Sequence, residues 1–173
     1  IITSPLLLLI TYAIKRNDRG PIIIRQNRIG QFGKPFEMYK FRSMYIDAPN
    51  PSYEWTENKH ADDPRVTPIG KIIRRWSMDE LPQLFNVLRG EMSLVGPRPE
   101  LPEMVDMYQS WQTKRFEVPQ GMTGWWQING RSDKPMFENT QYDLYYITHY
   151  SIWMDIFILI RTVSAVISGR GAY

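Results

Sequence analysis

Residues 1 to 14, IITSPLLLLITYAI, carry no charge and run directly into Lys15 and Arg16; no other stretch restricts the fold of this chain as much. At about 1.5 Å of rise per residue, a helix of this length reaches about 21 Å, against a hydrocarbon layer of about 30 Å. The run therefore cannot cross a bilayer by itself. Three placements stay open: the end of a membrane helix that starts upstream, a re-entrant helix that enters and leaves by one face, or a helix buried in a core. Pro5 after Ser4 favours a break, since proline removes a backbone donor and serine can help satisfy the freed carbonyls. Lys15 and Arg16 put the end of the run on the cytoplasmic side. A secretory signal is disfavoured, because the basic residues follow the apolar run and no small-residue cleavage site is present. The chain opens on Ile1 rather than Met and is expected to be a piece of a longer protein.

Charge is unevenly placed. The net charge is +3, yet up to Met44 eight Lys and Arg stand against Asp18 and Glu37, which leaves the remainder net negative. A basic front end suits an anionic surface, which phospholipid, nucleotide phosphate or nucleic acid could supply, although a solvated basic face would look the same. With no cysteine, neither disulfides nor thiolate metal sites are available, and only His60 and His149 offer nitrogen ligands, so zinc is not expected. A length of 173 residues and 43% apolar composition allow one well-packed domain and not two.

Further along, PIIIRQNRI, GQFGK and PFEMYKF form the pattern of a hairpin around Gly30 and Gly33, with Lys34, Lys40 and Arg42 carried toward one region. Asp47 to Pro68 contains four prolines and is expected to be a long loop. Helix is predicted over Ile69 to Trp76, again after Ser77 as far as a stop at Gly90, and over Pro102 to Arg115. Val118 to Arg131, with glycines at 121, 124 and 130, is expected to be loop. Tyr142, Tyr145, Tyr146 and His149 recur at helical spacing and are expected mostly in a core. Ser151 to Ser168 is apolar on most sides, so it either docks in the core or lies in a membrane interface.

The chemistry is concentrated in Ser77 to Glu100, SMDELPQLFNVLRGEMSLVGPRPE. Asp79 and Glu80 are adjacent, with Arg74 and Arg75 upstream and Arg98 downstream. One reading is structural: Ser77 followed by Glu80 fits a capping box, and acids in a first turn complement the helix dipole. Pro82 weakens that reading, because it would sit at the fifth helical position, where a backbone donor is wanted. The other reading makes Asp79 a nucleophile that attacks a phosphoryl group to give an acyl phosphate. Glu80 could then hold Mg²⁺, and Arg98, stiffened between Pro97 and Pro99, could grip phosphate oxygens.

This run resembles, almost residue for residue, the signature of the bacterial initiating sugar transferases, the monotopic polyprenyl-phosphate phosphoglycosyl transferases. Ser4-Pro5 resembles the break in their re-entrant helix, YKFRSM (Tyr39 to Met44) their basic strand, DPRVTPIGKIIRRWS (Asp63 to Ser77) the lead-in, and GMTGWWQINGR (Gly121 to Arg131) a later loop. The resemblance implies an α/β fold, mainly helical, in a single domain with a small β-hairpin, amphipathic interfacial helices and a truncated re-entrant membrane helix. Residues 1–14 would be the exit half of that helix and 15–173 the catalytic domain. By the same resemblance Asp79 is the nucleophile, Glu80 the Mg²⁺ ligand, and Arg74, Arg98, Lys40, Arg42 and Arg131 face phosphate or substrate. The implied reaction is ping-pong: Asp79 attacks the β-phosphate of a UDP-sugar, UMP leaves, and a polyprenyl (undecaprenyl) phosphate takes the hexose-1-phosphate. The C-terminal helix and the ending SGRGAY are similar to long-form members that use UDP-glucose or UDP-galactose. Membrane lipid is an expected partner, a homodimer is admitted, nucleic acid is not expected, and the setting is the cytoplasmic face of the inner membrane.

Three rival readings fit the residues less well. His60, Asp62 and Asp63 could mark a metal site, but they lie in the proline-rich loop and fit a solvated charge cluster better. A soluble aspartyl-phosphate phosphatase lacks its Asp-x-Asp pair after an apolar strand. A nucleic-acid module would use the basic front and Trp125 and Trp126, but it leaves Asp79 and Glu80 without a role. The hexose, the acceptor length, the polysaccharide pathway and the oligomeric state are not written in the sequence.

Overall fold

The computed structural model describes residues 4–17, 19–46, 48, 63–129 and 136–168. Helix α1 (Ser4–Asn17) leads into a hairpin of β1 (Ile23–Ile29) and β2 (Pro35–Phe41), with the register Ile24↔Lys40 and Arg28↔Phe36. Its turn runs through Phe32 and Gly33, both at positive φ, which glycine tolerates at no steric cost. The hairpin is thus where the turn residues placed it. Ile10 and Ile14 of α1 bury against Phe41 and against Ile73 of α2 (Pro68–Arg75). Leu8, Leu9 and Tyr12, on the opposite side of α1, are more than 60% exposed.

Of the three placements open for the apolar run, the described part has one face in the core and the other uncovered. Ser4 and Pro5 fall in the first described turn of α1, so the expected break between two helix halves is not seen, and Pro5 sits where a missing N–H costs little. Among the described residues no helix is long and apolar enough to cross a membrane.

Helix α2 begins one residue earlier than expected, capped by Thr67, whose hydroxyl accepts from Gly70 N at 2.9 Å, with Pro68 in the first turn. The capping box at Ser77 does not form. Ser77 is left-handed (φ 51°, ψ 24°) and its side chain makes no cap bond. The chain therefore turns there and enters a single 3₁₀ turn, Met78–Glu80, before Pro82 leads into α3 (Gln83–Leu88). In that arrangement the proline precedes the helix and its missing donor is harmless. Gly90, at φ +75°, ends the segment as expected.

Two other expectations need correction. The helix over Pro102 to Arg115 breaks into α4 (Pro102–Val105) and a 3₁₀ turn, Gln112–Phe116. Gln109 N donates to the Gln112 side chain at 2.8 Å, and that side chain donates in turn to Phe137 O at 2.6 Å, so side-chain bonds displace the helical ladder. The expected loop at Val118 to Arg131 contains β4 (Gly121–Thr123) and α5 (Trp125–Asn129). Strand β4 pairs in parallel with β3 (Ser93–Val95), which was not foreseen. The glycines serve close approach here: a Cβ on Gly121 would lie 2.1 Å from Gly96 N, and one on Gly124 the same distance from Gly96 O.

Helix α6 (Gln141–Thr148) buries Tyr146 and Asp143 but leaves Tyr145 45% exposed, stacked on Trp125 and on His149, so the aromatic stripe is only half core. The last helix, α7 (Ile152–Ser168), docks through Ile158 against Val95 and Tyr146 and through Thr162, whose hydroxyl lies 2.7 Å from that of Thr123. Its other face leaves Ile152, Trp153, Ile160, Val163 and Ile167 each at least 60% exposed. The result is a single small domain, about half helical, with two two-stranded sheets among the described residues.

Candidate active site

The 3₁₀ turn that carries the two carboxylates is held from beneath by its neighbours. Met78 and Leu81 pack into the cluster around Ile73 and Phe41, which leaves Asp79 and Glu80, between them, for the opposite side. Glu80 meets two cations from distant parts of the chain: Lys40 of β2, whose Nζ donates to Oε1 at 3.0 Å, and Arg98, whose Nη2 donates to the same oxygen at 2.6 Å. Arg74, from the last turn of α2, donates through Nε to Ser43 Oγ at 2.8 Å and adds its charge to the field around Asp79. The turn thus collects three of the sequence-predicted cations.

The electrostatics separate the two acids. Burial alone would raise the Glu80 carboxyl, but Arg98 and Lys40 overcome it and hold the group well below the usual carboxylate range. Asp79 moves the other way: burial pushes it up, Glu80 adds to the rise, and Lys40, Arg74 and Arg98 only partly offset it. Among the described residues no hydrogen bond or ion pair holds the Asp79 carboxylate. One acid is clamped by two cations; its neighbour has no such clamp among the described residues. Lys40 itself is pushed down by burial, while Glu80 raises Arg98.

Arg98 is placed by a backbone tied through its own carbonyl and through carbonyls on both sides of it. Pro97 O accepts from Gly121 N (2.8 Å), Arg98 O from Arg115 Nη2 (2.8 Å) and Glu100 O from Ile29 N (2.8 Å), with Arg28 Nη1 at 3.5 Å from Pro99 O. Pro97 and Pro99 are buried and contribute no donor that would need a partner. Arg115, fully buried, also binds Asp143 (2.9 Å), the Tyr108 hydroxyl (2.7 Å) and Glu100 (3.3 Å). Sequence reasoning missed this support. Arg115 lies in an apparently ordinary KRF stretch, and its partner Asp143 is 28 positions away, so no local spacing could reveal the pair.

Other candidate residues fall elsewhere. Arg42 is buried against Gly20, where a Cβ would lie 1.8 Å from its Nη1, and it is not among the strongest charges acting on Asp79 or Glu80. The expected convergence of Lys34, Lys40 and Arg42 therefore holds for Lys40 alone, since Lys34 is exposed in the hairpin turn. Arg131, His60 and Asp62 lie outside the described residues. Asp63 is not a solvated charge: it is 7% exposed and paired with Arg65 at 2.7 Å.

For a divalent ion, the described residues hold no cluster of three or more His, Asp or Glu ligands. Magnesium commonly takes one or two carboxylates and completes its shell with water and substrate phosphates. The donor set fits that use. Glu80 keeps Oε2 without a hydrogen-bond partner among the described residues, and the Asp79 carboxylate stands beside it.

Fold and site together define a class: a small α/β domain with two adjacent carboxylates among cations drawn from three parts of the chain, one carboxylate being unengaged among the described residues. The chain belongs to the bacterial sugar transferase family, whose family model matches residues 1–169. It is 40% identical over 185 aligned positions to an undecaprenyl-phosphate galactose phosphotransferase of Salmonella typhimurium, covering 100% of this chain and 39% of that one. It is 43% identical to an undecaprenyl-phosphate glucose phosphotransferase of Komagataeibacter xylinus (98% and 34% covered). To the exopolysaccharide production protein ExoY of Sinorhizobium fredii it is 39% identical, with 100% and 82% covered. The chain thus spans less than two fifths of the two phosphotransferases and about four fifths of ExoY.

Proposed function

We propose that this chain transfers a hexose-1-phosphate from a UDP-sugar to undecaprenyl phosphate through a covalent intermediate on Asp79. The observation that carries this reading is the division of labour in the dyad: Glu80 is held by Lys40 and Arg98, while Asp79 carries no partner among the described residues. In the first step an Asp79 oxygen attacks the β-phosphorus of the donor. The bond from that phosphorus to the bridging oxygen breaks, UMP departs, and an acyl phosphate carrying the sugar remains on Asp79. In the second step a phosphate oxygen of the lipid acceptor attacks the same phosphorus. The carboxylate is released and a polyprenyl diphosphosugar forms. Arg98, Lys40 and Arg74 supply positive charge where the phosphoryl oxygens gather it, from a scaffold already in place before substrate arrives. Mg²⁺, which Glu80 and the substrate phosphates would hold, would neutralise charge on the donor's diphosphate as UMP leaves.

Relatives whose names carry galactose and glucose favour UDP-galactose or UDP-glucose as donor. The uncovered apolar faces of α1 and α7 support work at the cytoplasmic membrane surface, where a lipid-borne acceptor is presented. The test is stoichiometry. Lipid-reconstituted full-length protein given UDP-sugar without acceptor should release about one UMP per active site, and Asp79→Asn should release none. That variant should also lose turnover by about 10⁴-fold or more, by analogy with hydrolase nucleophiles. An active enzyme that yields no UMP until undecaprenyl phosphate is added would overturn the two-step scheme.

A further inference from the structure

We propose that Arg28 is a further phosphate-binding residue of this site, reaching the bound substrate from β1 on the face of the hairpin that also carries Lys40. The inference rests on the phosphoryl-transfer reading above and adds a residue that neither the signature run nor its flanking motifs contain. The register pairs Ile24 with Lys40 and Arg28 with Phe36, and side chains alternate across a strand, so Arg28 and Lys40 stand on the same face of the hairpin. The Arg28 guanidinium is half-buried there and poorly satisfied. Its Nη2 donates to Gln26 at 3.2 Å, its Nη1 reaches Pro99 O only at 3.5 Å, and its Nε is buried without a partner.

No carboxylate within ion-pair distance neutralises it among the described residues. The acids acting on it are Glu100, Glu80 and Glu103. Glu100 is already engaged by Arg115, Tyr108 and Leu101 N, and Glu80 by Lys40 and Arg98. Arg98, the nearest competing cation in effect, joins burial in pushing Arg28 down to about 10. Arg28 thus joins the same electrostatic neighbourhood as Glu80, which Lys40 and Arg98 hold. An arginine held half out of water next to another, with a donor left over, is matched by an anion with several acceptor oxygens, and a phosphoryl group has that form.

Two phosphates visit the site, that of the donor and that of the lipid acceptor, and the experiment separates them. Arg28→Gln and Arg28→Lys should be compared with wild type in reconstituted full-length protein, with KM read for UDP-sugar in the acceptor-free burst and for undecaprenyl phosphate in turnover. In Arg28→Gln we expect one KM to rise about tenfold or more while kcat stays within about threefold, and Arg28→Lys to recover part of the loss, since charge is kept and the planar fork is not. The substrate whose KM rises is the one Arg28 holds. Titration with inorganic pyrophosphate gives a readout that does not need turnover: its Kd should weaken in parallel.

Unchanged KM for both substrates with unchanged pyrophosphate affinity overturns the proposal, as does a fall in kcat alone, which would make Arg28 a support for the Pro99 carbonyl. Should Arg28→Gln fail to fold, the same comparisons on Arg28→Lys decide the matter. Absence of UMP release by wild type would strike the transferase reading instead, and the pyrophosphate result would still report on Arg28.

Discussion

At the scale of single residues, the proposed chemistry rests on the contrast between Asp79 and Glu80. Lys40 is the residue on which that contrast can be tested, because its charge pulls Asp79 down against the burial that raises it. Removing the charge in Lys40→Met should raise Asp79 further. A nucleophilic carboxylate must be ionised, and a group with a raised pKa is lost to protonation as pH falls, so the acid limb of the rate profile should move to higher pH. A pH–rate profile of the acceptor-free UMP burst checks this, and an unmoved limb would remove Lys40 from the electrostatics of Asp79. Glu80→Gln keeps the size of the side chain and discards the charge that Arg98 and Lys40 enclose. Turnover should fall strongly and the Mg²⁺ concentration for half-maximal rate should rise; a Mg²⁺ titration that superimposes on wild type would leave Glu80 as a purely structural partner of Arg98. The dyad itself was legible in the sequence, as were Arg74 and Arg98, since all four lie within 25 positions of one another. Their separation into one clamped acid and one unengaged acid was not, because Lys40 comes from 40 positions away.

At the scale of elements, the segment from Gly96 to Glu100 is the part most dependent on support from elsewhere. Its carbonyls are held by β4, β1 and Arg115, and the fully buried Arg115 is held in turn by Asp143 of α6. Arg115→Met would strand the Asp143 carboxylate in the core and free the Arg98 carbonyl. Breaking a buried pair by removing one partner costs about 3–5 kcal/mol. Thermal or urea unfolding should register a loss of that size, and the double variant Arg115→Met with Asp143→Leu should recover part of it. A change within about 0.5 kcal/mol would show that the network carries no load. Local signals did foresee the hairpin, helix α2 and the stop at Gly90. They failed over Pro102 to Arg115 and Val118 to Arg131, where side-chain bonds of Gln112 and the backbone approach of Gly96 to Gly121 decide the structure.

At the scale of the molecule, α7 presents one docked face and one bare apolar face, and α1 does the same. If the bare face of α7 seats on lipid, Trp153→Asp with Ile160→Asp should weaken binding of the 173-residue chain to anionic vesicles by about tenfold or more, because both side chains are exposed and apolar. Cosedimentation measures this, with unchanged circular dichroism as the control for folding; equal binding would assign that face to something other than lipid. The division between sequence and tertiary structure follows from the range of the forces involved. Proline and glycine positions, hydrophobic period and the run SMDELPQLFNVLRGEMSLVGPRPE act over a few residues, so the sequence by itself determined the hairpin, the helix starts and stops, and the adjacency of Asp79 and Glu80. Which cation meets which acid depends on side chains tens of positions apart reaching the same buried volume. Only the folded chain therefore decided that Lys40 and Arg98 take Glu80, that Arg115 pairs with Asp143 behind Arg98, that Arg42 turns away to Gly20, and that Arg28 stands beside the site with a donor to spare.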